Sequence, residues 1–366
     1  MALRVAIFTL EFPPAFSGGL GVHVFGLVKY LRRQGDAVDV FYLGPPPAPM
    51  GTIQLPAFEG YPPSAEIDAK WVPGGETVLS RHANEPYDII HCHDWHGGLP
   101  AALLWQRGVP MITTCHLPAA TPFHYPGERP TEFAMLLEFV ALRLSRVVIA
   151  VSQFVAREME RKYRAFADKI RVILNGTDTA WFSGTSGSRE QLILAAGRLT
   201  TQKGFLDLLE IFASVHRNAP QARLRIVGSG PDERMLSEAI LDSSAVSAME
   251  LLPFSDRSAL RSHYQQARVL AVPSVYEPFG LVAIEAMACG TPVVAYGTGG
   301  LPEIITDGID GIMIGPNDRH EFASALTRLL RDPLRAECLG ARARQTVLNR
   351  FNDEVSYART RALYRE

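Results

Sequence analysis

The chain contains few cysteines and lacks any long apolar run. Only four of its 366 residues are cysteines, and no two of them have C-x-x-C spacing. This composition argues against a disulfide framework and against a structural zinc site with cysteine ligands. The longest apolar stretches, such as residues 147–151, are far shorter than the roughly 20 residues that cross a bilayer. We therefore expect no transmembrane helix.

No charge of one sign dominates the sequence. The 36 Lys and Arg residues nearly balance the 38 Asp and Glu residues, which gives a formal net charge of −2. A global positive field of the kind that attracts nucleic acid or an anionic membrane is therefore absent. The apolar start, residues 3–10, runs directly into Glu11 and is too short for a signal peptide. We expect a cytoplasmic protein without a nucleic-acid partner, of an oligomeric state that the sequence does not indicate.

Three familiar ligand-binding motifs are also missing. Neither G-x-G-x-x-G nor G-x-x-x-x-G-K-[ST] occurs, which disfavours a dinucleotide dehydrogenase and a P-loop NTPase. There is also no D-x-D, the acidic pair with which many sugar-nucleotide enzymes hold a divalent metal. We expect no metal and no cofactor.

What the sequence does contain is a repeated alternation of short β-branched runs and amphipathic segments, which predicts βαβ units around parallel sheets. A chain of this length exceeds what one core supports, so two domains are expected. The small polar run 183–188 separates them as a predicted hinge. The prediction is an α/β fold with two doubly wound, Rossmann-like domains, residues 1–182 and 189–351. The last helix, residues 352–366, has the option of packing back onto the first domain.

Two glycine-containing loops come before predicted helices and suit an anion. Gly18 and Gly19 follow the first strand, where free helix amides could meet a phosphate, although a plain strand-to-helix turn is the alternative. Arg198 and Lys203 lie in the loop after the first strand of the second domain. Cations at a helix N-terminus oppose the helix dipole. Their placement indicates that they face an anion, unless they are a solvated pair.

The segment 277–290, E-P-F-G-L-V-A-I-E-A-M-A-C-G, is the sharpest motif. Pro278 disfavours a helical conformation at Glu277, which is therefore predicted in a loop, while Glu285 is predicted early in a helix over 281–289. The two carboxylates would then have different duties in one pocket. The alternative is a purely structural role, in which Glu285 only stabilises the helix dipole.

Histidines and an aspartate end two strands of the predicted first domain. The run H-C-H-D-W-H, at residues 91–96, closes one predicted strand and includes Asp94. The run T-T-C-H, at residues 113–116, closes the next predicted strand along the chain and includes His116. Such residues are candidates for a cleft, although a lone histidine is more often structural. The histidines of 91–96 lack the spacing of a zinc motif. We therefore predict no metal there.

Taken together and in this order, the motifs resemble a known family. G-G-L-G, H-D-W-H, G-R-L-x-x-x-K-G, E-P-F-G-L-x-x-x-E and G-G-L-P-E are similar to those of the retaining glycosyltransferases of family 4 and of their glycogen and starch synthase relatives. The resemblance covers about residues 4–364. It implies a GT-B architecture, with two Rossmann-like domains facing a cleft and the final helix returning to the first domain.

The resemblance also implies a role for individual residues. Arg198 and Lys203 match the cations that clamp the donor pyrophosphate, and Glu277 matches the carboxylate near the transferred sugar. Glu285 matches the carboxylate that binds ribose hydroxyls. Asp94 and His116 match residues on the sugar or acceptor side, so the implied catalytic set is Glu277, His116, Arg198 and Lys203. The implied donor-binding set is Gly18, Gly19, Arg198, Lys203, Phe254, Phe279, Gly280, Leu281, Val282 and Glu285, with Phe254 as a base contact.

At two places the sequence departs from the glycogen synthases that it resembles, and both bear on the identity of the substrate. Many glycogen synthases that this chain resembles carry Cys where Phe279 stands and Lys before the glycine loop, where this chain has Ala15-Phe16-Ser17. The N-terminal segments 11–14 and 18–24 are more similar to the branch of family 4 that contains ADP-glucose-using α-glucan and maltose 1-phosphate synthases. We expect a metal-independent transfer of glucose from ADP-glucose or UDP-glucose, ADP being favoured, to a carbohydrate acceptor.

Two other functions remain open. A sugar-nucleotide epimerase of the same architecture would convert its substrate without an acceptor. A non-catalytic protein would bind the donor and release no nucleotide. The E-P-F-G-L-x-x-x-E segment argues against an epimerase. The presence of Arg198, Lys203, Glu277 and Glu285 together argues against a non-catalytic protein, and for these reasons transfer is favoured.

Overall fold

A computed structural model describes residues 2–14, 18–56, 74–119, 121, 132–184, 187–254 and 256–366. The chain divides into two compact units, Met1–Leu174 with Ser356–Glu366, and Asn175–Val355. Each unit contains one parallel sheet with helices. The predicted class, two Rossmann-like α/β domains, is confirmed.

Unit 1 is built on a seven-stranded sheet in the order β3-β2-β1-β4-β5-β6-β7. Its strands are β1 Arg4–Thr9, β2 Ala37–Tyr42, β3 Ile53–Gln54, β4 Ile89–His93, β5 Met111–Cys115, β6 Val147–Ala150 and β7 Ile170–Val172. Its first helices are α1 Gly19–Arg33, α2 Gly75–Asn84, α3 Gly98–Trp105, α4 Glu132–Leu144 and α5 Gln153–Lys162. The apolar stripe of α1, with the i, i+3, i+4, i+7 spacing of an amphipathic helix, is buried in the core and consists of Val24, Leu27, Val28 and Leu31.

Unit 2 is built on a six-stranded sheet in the order β10-β9-β8-β11-β12-β13. Its strands are β8 Leu192–Ala196, β9 Arg223–Val227, β10 Met249–Leu252, β11 Val269–Val272, β12 Val293–Tyr296 and β13 Ile312–Ile314. Its helices are α6 Phe205–Asn218, α7 Glu233–Leu241, α8 Arg257–Gln266, α9 Leu281–Ala288, α10 Leu301–Ile304, α11 Arg319–Arg331 and α12 Pro333–Arg350. The last helix, α13 Asp353–Leu363, begins in unit 2 and ends in unit 1.

Residues 175–182, which the sequence pattern assigns to the first domain, lie in unit 2. The physical reason is Phe182, which is fully buried and packs edge-on against the ring of Tyr264 in α8. The carbonyl of Ser183 also accepts a hydrogen bond from the side chain of Gln265. Residues 185 and 186 of the predicted hinge lie outside the described residues.

The C-terminal segment is fixed to unit 1 by polar contacts. Arg361 binds both carboxylate oxygens of Asp36, at 2.6 and 2.8 Å. The hydroxyl of Tyr364 lies 2.6 Å from Nδ1 of His91 in β4. Residues 356–366 therefore belong to unit 1 because buried side chains of both segments are paired there.

The sequence pattern missed the edge strands β3 and β13. β3 has two residues and β13 has three, which is too short for a period-2 pattern to be recognised. The runs that it predicted for the other strands, such as residues 147–151 for β6 and 111–115 for β5, agree with the observed strands to within two residues at each end. The segments 45–63 and 118–130, in which the sequence shows no spacing rule for an acceptor, lie partly outside the described residues, at 57–63, 120 and 122–130.

Candidate active-site residues in the two units

Lys203 and Glu277 form a close ion pair in unit 2. Nζ of Lys203, in the loop between β8 and α6, lies 2.6 Å from Oε2 of Glu277, in the loop between β11 and α9. The carboxylate is also 3.3 Å from the hydroxyl of Ser274. Glu277 is thus in a loop, as predicted, and it directs a largely buried carboxylate at the only lysine of the G-R-L-x-x-x-K-G segment.

Close backbone packing holds these two loops together. The backbone of Gln202 accepts a hydrogen bond from the amide of Val275, and its side chain donates to the carbonyl of Tyr276. Gly204 adopts φ +67°, and a Cβ there would collide with the carbonyl oxygen of Pro273. Only glycine fits this position, so the sequence requires it for Lys203 to reach Glu277.

The glycine loop after β12 supports Glu277 from another side. The amide of Gly300 donates to the carbonyl of Glu277 at 2.8 Å. Gly299 has φ +60°, and a Cβ there would strike the same carbonyl. The G-G-L-P-E segment therefore positions the backbone of Glu277.

Arg198 and Phe254 also follow strands of unit 2. Arg198 comes directly after β8 and Gly197, and it is half-buried. Phe254 follows the edge strand β10, where its amide donates to the hydroxyl of Ser229 and its ring is exposed. An exposed ring at the end of a strand is compatible with the predicted base contact.

The start of α9 combines a buried ring with the amides of a first helical turn. The ring of Phe279 is buried and packs edge-on against Phe351, so only its backbone can face a ligand. The carbonyl of Gly280 accepts bonds from the third and fourth amides that follow it. The amides of Leu281 and Val282 belong to the first turn, where helix donors have no intrahelical partner. They suit an anionic group of the donor.

Glu285 lies in α9, as predicted, and is held by a tyrosine. The hydroxyl of Tyr264, in α8, donates to Oε2 of Glu285 at 2.9 Å. Burial raises the pKa of Glu285 to about 7, while the charge of Arg257 and the bond from Tyr264 act to lower it. Glu285 thus titrates near neutrality, as a buried carboxylate does when it is only partly compensated.

In unit 1 the loop that was predicted to bind phosphate contains an internal carboxylate. Gly18 precedes α1 and Gly19 begins it, while residues 15–17 lie outside the described residues. The buried Glu11 accepts a hydrogen bond from the amide of Gly21 at 3.1 Å. One first-turn amide of α1 is therefore already bound to an acid of the protein itself.

Asp94 fixes the backbone beside His116. Its Oδ1 accepts bonds from the amides of His116 at 2.6 Å and of Leu117 at 3.2 Å. Burial raises the pKa of Asp94 to about 8, against the lowering effect of these two bonds. Asp94 also has φ +55°, which is strained for a residue other than glycine. This strained, buried residue orients the His116 loop through the two bonds.

Four histidines form a buried group around β4 and β5. Nδ1 of His93 lies 3.1 Å from Nε2 of His116, and the ring of His23, from α1, packs against both. His91 is fixed between Tyr364 and the hydroxyl of Thr114. His96 stacks on Trp95 instead. The structure thus groups His93 with His23 and His116 rather than with its sequence neighbour His96.

Sequence reasoning missed Tyr264, Glu11 and His23 as partners of the site. Glu11 was noted only as the end of an apolar run, and His23 lies two residues after the G-G-L-G segment. Tyr264 had no local signal at all, because its partner Glu285 is 21 residues away. A histidine one turn into α1, close to the glycine loop, was the one signal that could have been used.

Comparison with known proteins identifies the family of this chain. The family model "Glycosyltransferase Family 4" matches residues 17–181, and the model "Glycosyl transferases group 1" matches residues 178–346. An alpha-maltose-1-phosphate synthase of Mycolicibacterium smegmatis is 32% identical over 407 aligned residues, which cover 100% of this chain and 99% of that protein. The glycogen synthase of Mycobacterium tuberculosis is 28% identical and covers 99% and 94%.

A solved structure gives the same result. The sucrose-phosphate synthase of Thermosynechococcus elongatus superimposes with a TM-score of 0.82 at 26% identity, covering 99% of this chain and 98% of that one. Fold and site thus define an enzyme with the GT-B fold that transfers a glycosyl group. The chain belongs to glycosyltransferase family 4, and it is similar to the maltose-1-phosphate and glycogen synthases. Among the described helices, none is both long and apolar enough to cross a membrane.

Proposed function

We propose that the protein is a retaining, metal-independent glucosyltransferase that uses ADP-glucose or UDP-glucose, ADP being favoured, and forms an α-linkage on a carbohydrate acceptor. The observation that carries the proposal is the pair of Lys203 and Glu277, 2.6 Å apart at the carboxyl ends of β8 and β11. Ligands of open parallel sheets bind at this edge of the sheet.

The pair supplies one charge for each of the two groups that become charged during the reaction, the leaving diphosphate and the sugar. Breaking a glycosyl phosphate bond leaves a diphosphate with additional negative charge and a sugar with cationic character at its anomeric carbon. Fixed cations stabilise the leaving group, because their attraction grows in the transition state. Lys203 and Arg198 take this role, and the carboxylate of Glu277 supports the positive charge on the sugar.

Cations of the protein can replace a metal here. Metal-dependent enzymes neutralise the diphosphate with a divalent ion held by acidic residues, and this chain has no D-x-D segment. Arg198 and Lys203, together with the first-turn amides of α9, offer the diphosphate positive charge and hydrogen-bond donors instead.

Retention follows if the acceptor attacks the face from which the diphosphate leaves. The acceptor hydroxyl oxygen bonds to the anomeric carbon, the bond from that carbon to the phosphate oxygen breaks, and the hydroxyl proton moves to the departing phosphate oxygen. Glu277 then needs no covalent role. His116, with its backbone fixed by Asp94, is suited to hydrogen-bond the sugar hydroxyls.

The choice of glucose draws on the relatives. One is named for making α-maltose 1-phosphate and another for making glycogen, and both products are built from glucose. The acceptor is accordingly proposed to be an α-glucan or glucose 1-phosphate.

The test is nucleoside diphosphate release from ADP-glucose and UDP-glucose in EDTA, with glycogen, with glucose 1-phosphate and with neither. Acceptor-dependent release in EDTA is expected, with its anomeric configuration read by NMR. Glu277→Ala and Lys203→Ala should each reduce transfer at least about 100-fold, and full activity of either folded variant would refute these roles. Conversion of the donor without an acceptor would indicate an epimerase, and binding without release would indicate a non-catalytic protein.

A further inference from the structure

Three histidines from separate elements of unit 1 meet in its interior. His23 lies in α1, His93 ends β4 and His116 follows β5. One ring nitrogen of each lies within 4.8 Å of those of the other two. Their exposed fractions are 7%, 0% and 8%. Three converging imidazoles are the protein ligand set of a tetrahedral zinc ion with one open position.

The spacing of two of these nitrogens already fits a metal ion. Nδ1 of His93 and Nε2 of His116 are 3.1 Å apart. Two ligands of a tetrahedral ion with metal–nitrogen bonds of about 2.0 Å are about 3.3 Å apart. The nitrogen of His23, within 4.8 Å of the other two, must approach them by about 1.5 Å or less, which small rotations of the side chains about their χ angles can supply.

The charge state of the rings also suits a metal. Burial holds the pKa of His93 and that of His116 well below the usual range, and the neighbouring histidines lower both further. Both imidazoles are therefore neutral at pH 7, which is the form that binds metals. Nε2 of His93 is buried and has no hydrogen-bond partner among the described residues. If Nδ1 of His93 is the donor of its hydrogen bond to His116, its proton moves to Nε2 when a metal binds, without net proton release.

We propose that His23, His93 and His116 form a binding site for a divalent transition-metal ion of zinc type, and that occupation of this site inhibits the enzyme. Imidazole ligands select zinc, copper, nickel and cobalt over magnesium and calcium. An ion at this site would fix the ring of His116, the residue to which the proposed function assigns the sugar hydroxyls. The inhibitory consequence rests on the proposed function, whereas the binding site itself does not.

Cobalt binding tests the site without any enzymatic assay. The metal-free full-length protein is titrated with Co²⁺, and the visible absorption that indicates tetrahedral coordination is recorded. We expect one equivalent to bind and to be displaced by Zn²⁺. Octahedral spectra only, or no saturable binding below millimolar Co²⁺, would overturn the proposal.

Single substitutions identify the ligands. His23→Gln and His93→Gln should each weaken Co²⁺ binding by at least about tenfold, since loss of even a supporting partner costs 10- to 100-fold. His320→Gln, on the exposed face of α11, is the matched control and should bind as the wild type does. Circular dichroism confirms that each variant is folded. Unchanged binding in both folded variants of the cluster would refute this ligand set.

Inhibition is then measured separately. Zn²⁺ should reduce nucleoside diphosphate release, EDTA should restore it, and His93→Gln should raise the inhibitory concentration at least about tenfold relative to that variant's own activity. Inhibition of equal potency in His93→Gln would exclude this site as its cause. If neither donor gives release, the proposed function fails, while cobalt binding still decides on the metal site.

Discussion

The two units place their candidate site residues at equivalent positions of the sheet, but these residues form an ion pair in unit 2 and a largely uncharged cluster in unit 1. In unit 1 the histidine cluster and Asp94 come from β1, β4 and β5 and the segments after them, three neighbouring strands of the sheet. In unit 2 the cations and Glu277 come from the loops after β8 and β11, and the glycine loop after β12 lies next to them. β8, β11 and β12 are likewise three neighbouring strands of their sheet. Equivalent topology thus creates two sites at equivalent places.

The chemistry of these sites differs because their partners differ. In unit 2 an ammonium and a carboxylate neutralise each other at 2.6 Å. In unit 1 no such ion pair joins the described residues of the cluster, and burial favours the neutral forms of His93, His116 and Asp94. A charged site suits a diphosphate and an uncharged, hydrogen-bonding site suits sugar hydroxyls. On the proposed function, the donor phosphates would bind to unit 2 and sugar hydroxyls to unit 1.

The largest effect is expected for Lys203→Ala. Loss of one preorganised donor to a developing negative charge reduces turnover about 100- to 1,000-fold, and the variant also leaves Glu277 without its partner. Steady-state nucleoside diphosphate release measures the change in kcat/KM. Lys162→Ala, an exposed lysine of α5, is the control and should retain full activity.

The pairing of Lys203 with Glu277 is tested by a double-mutant cycle with Glu277→Gln. Because the two residues are in contact, their effects should not be additive. Additive losses would mean that the ion pair is not kept during catalysis, and the contrast between the units would lose its main support.

Glu285→Gln should have the next largest effect, on donor affinity. If the ionised carboxylate accepts ribose hydroxyls, its loss removes a charged hydrogen bond worth about 1.5–3 kcal/mol, or about 10- to 150-fold in Kd. Since its pKa is about 7, wild-type affinity should rise as the pH increases from 6 to 8. Calorimetric titration with the nucleoside diphosphate should show no such rise in the variant.

Tyr264→Phe should have a smaller effect on the same property. The hydroxyl of Tyr264 stabilises the ionised form of Glu285, so its removal raises the pKa of Glu285. The midpoint of the affinity profile should move to higher pH, while affinity at pH 9 stays close to that of the wild type. An equal loss at every pH would mean that Tyr264 acts on packing alone.

Asp94→Asn concerns unit 1 and should affect stability more than donor binding. The folded-state pKa of Asp94, about 8, lies above its ordinary value of 3.8. Its stabilising contribution is therefore fully present below pH 4 and is lost as the pH rises through 8. The slope is at most about 1.4 kcal/mol per pH unit. Urea denaturation between pH 5 and 8 should show a flatter slope in Asp94→Asn, and an unchanged slope would contradict the assignment.

The sequence alone was sufficient for most of the secondary structure and for the family. β-branched runs and amphipathic stripes have short periods, so they predict β1, α1 or β11 without knowledge of the fold. The loop position of Glu277 and the helical position of Glu285 also followed locally, because Pro278 restricts the residue before it. The order of the glycine, cation and carboxylate motifs indicated the family.

Only the tertiary structure decided which of these residues meet. Lys203 and Glu277 are 74 residues apart, and His23 joins His93 and His116 because β1, β4 and β5 are neighbours in the sheet. The unit boundary before Asn175 likewise depends on the burial of Phe182 against Tyr264. Strand order and long-range packing leave no periodic mark on the chain, because they are set by the total burial of many distant side chains rather than by any local pattern.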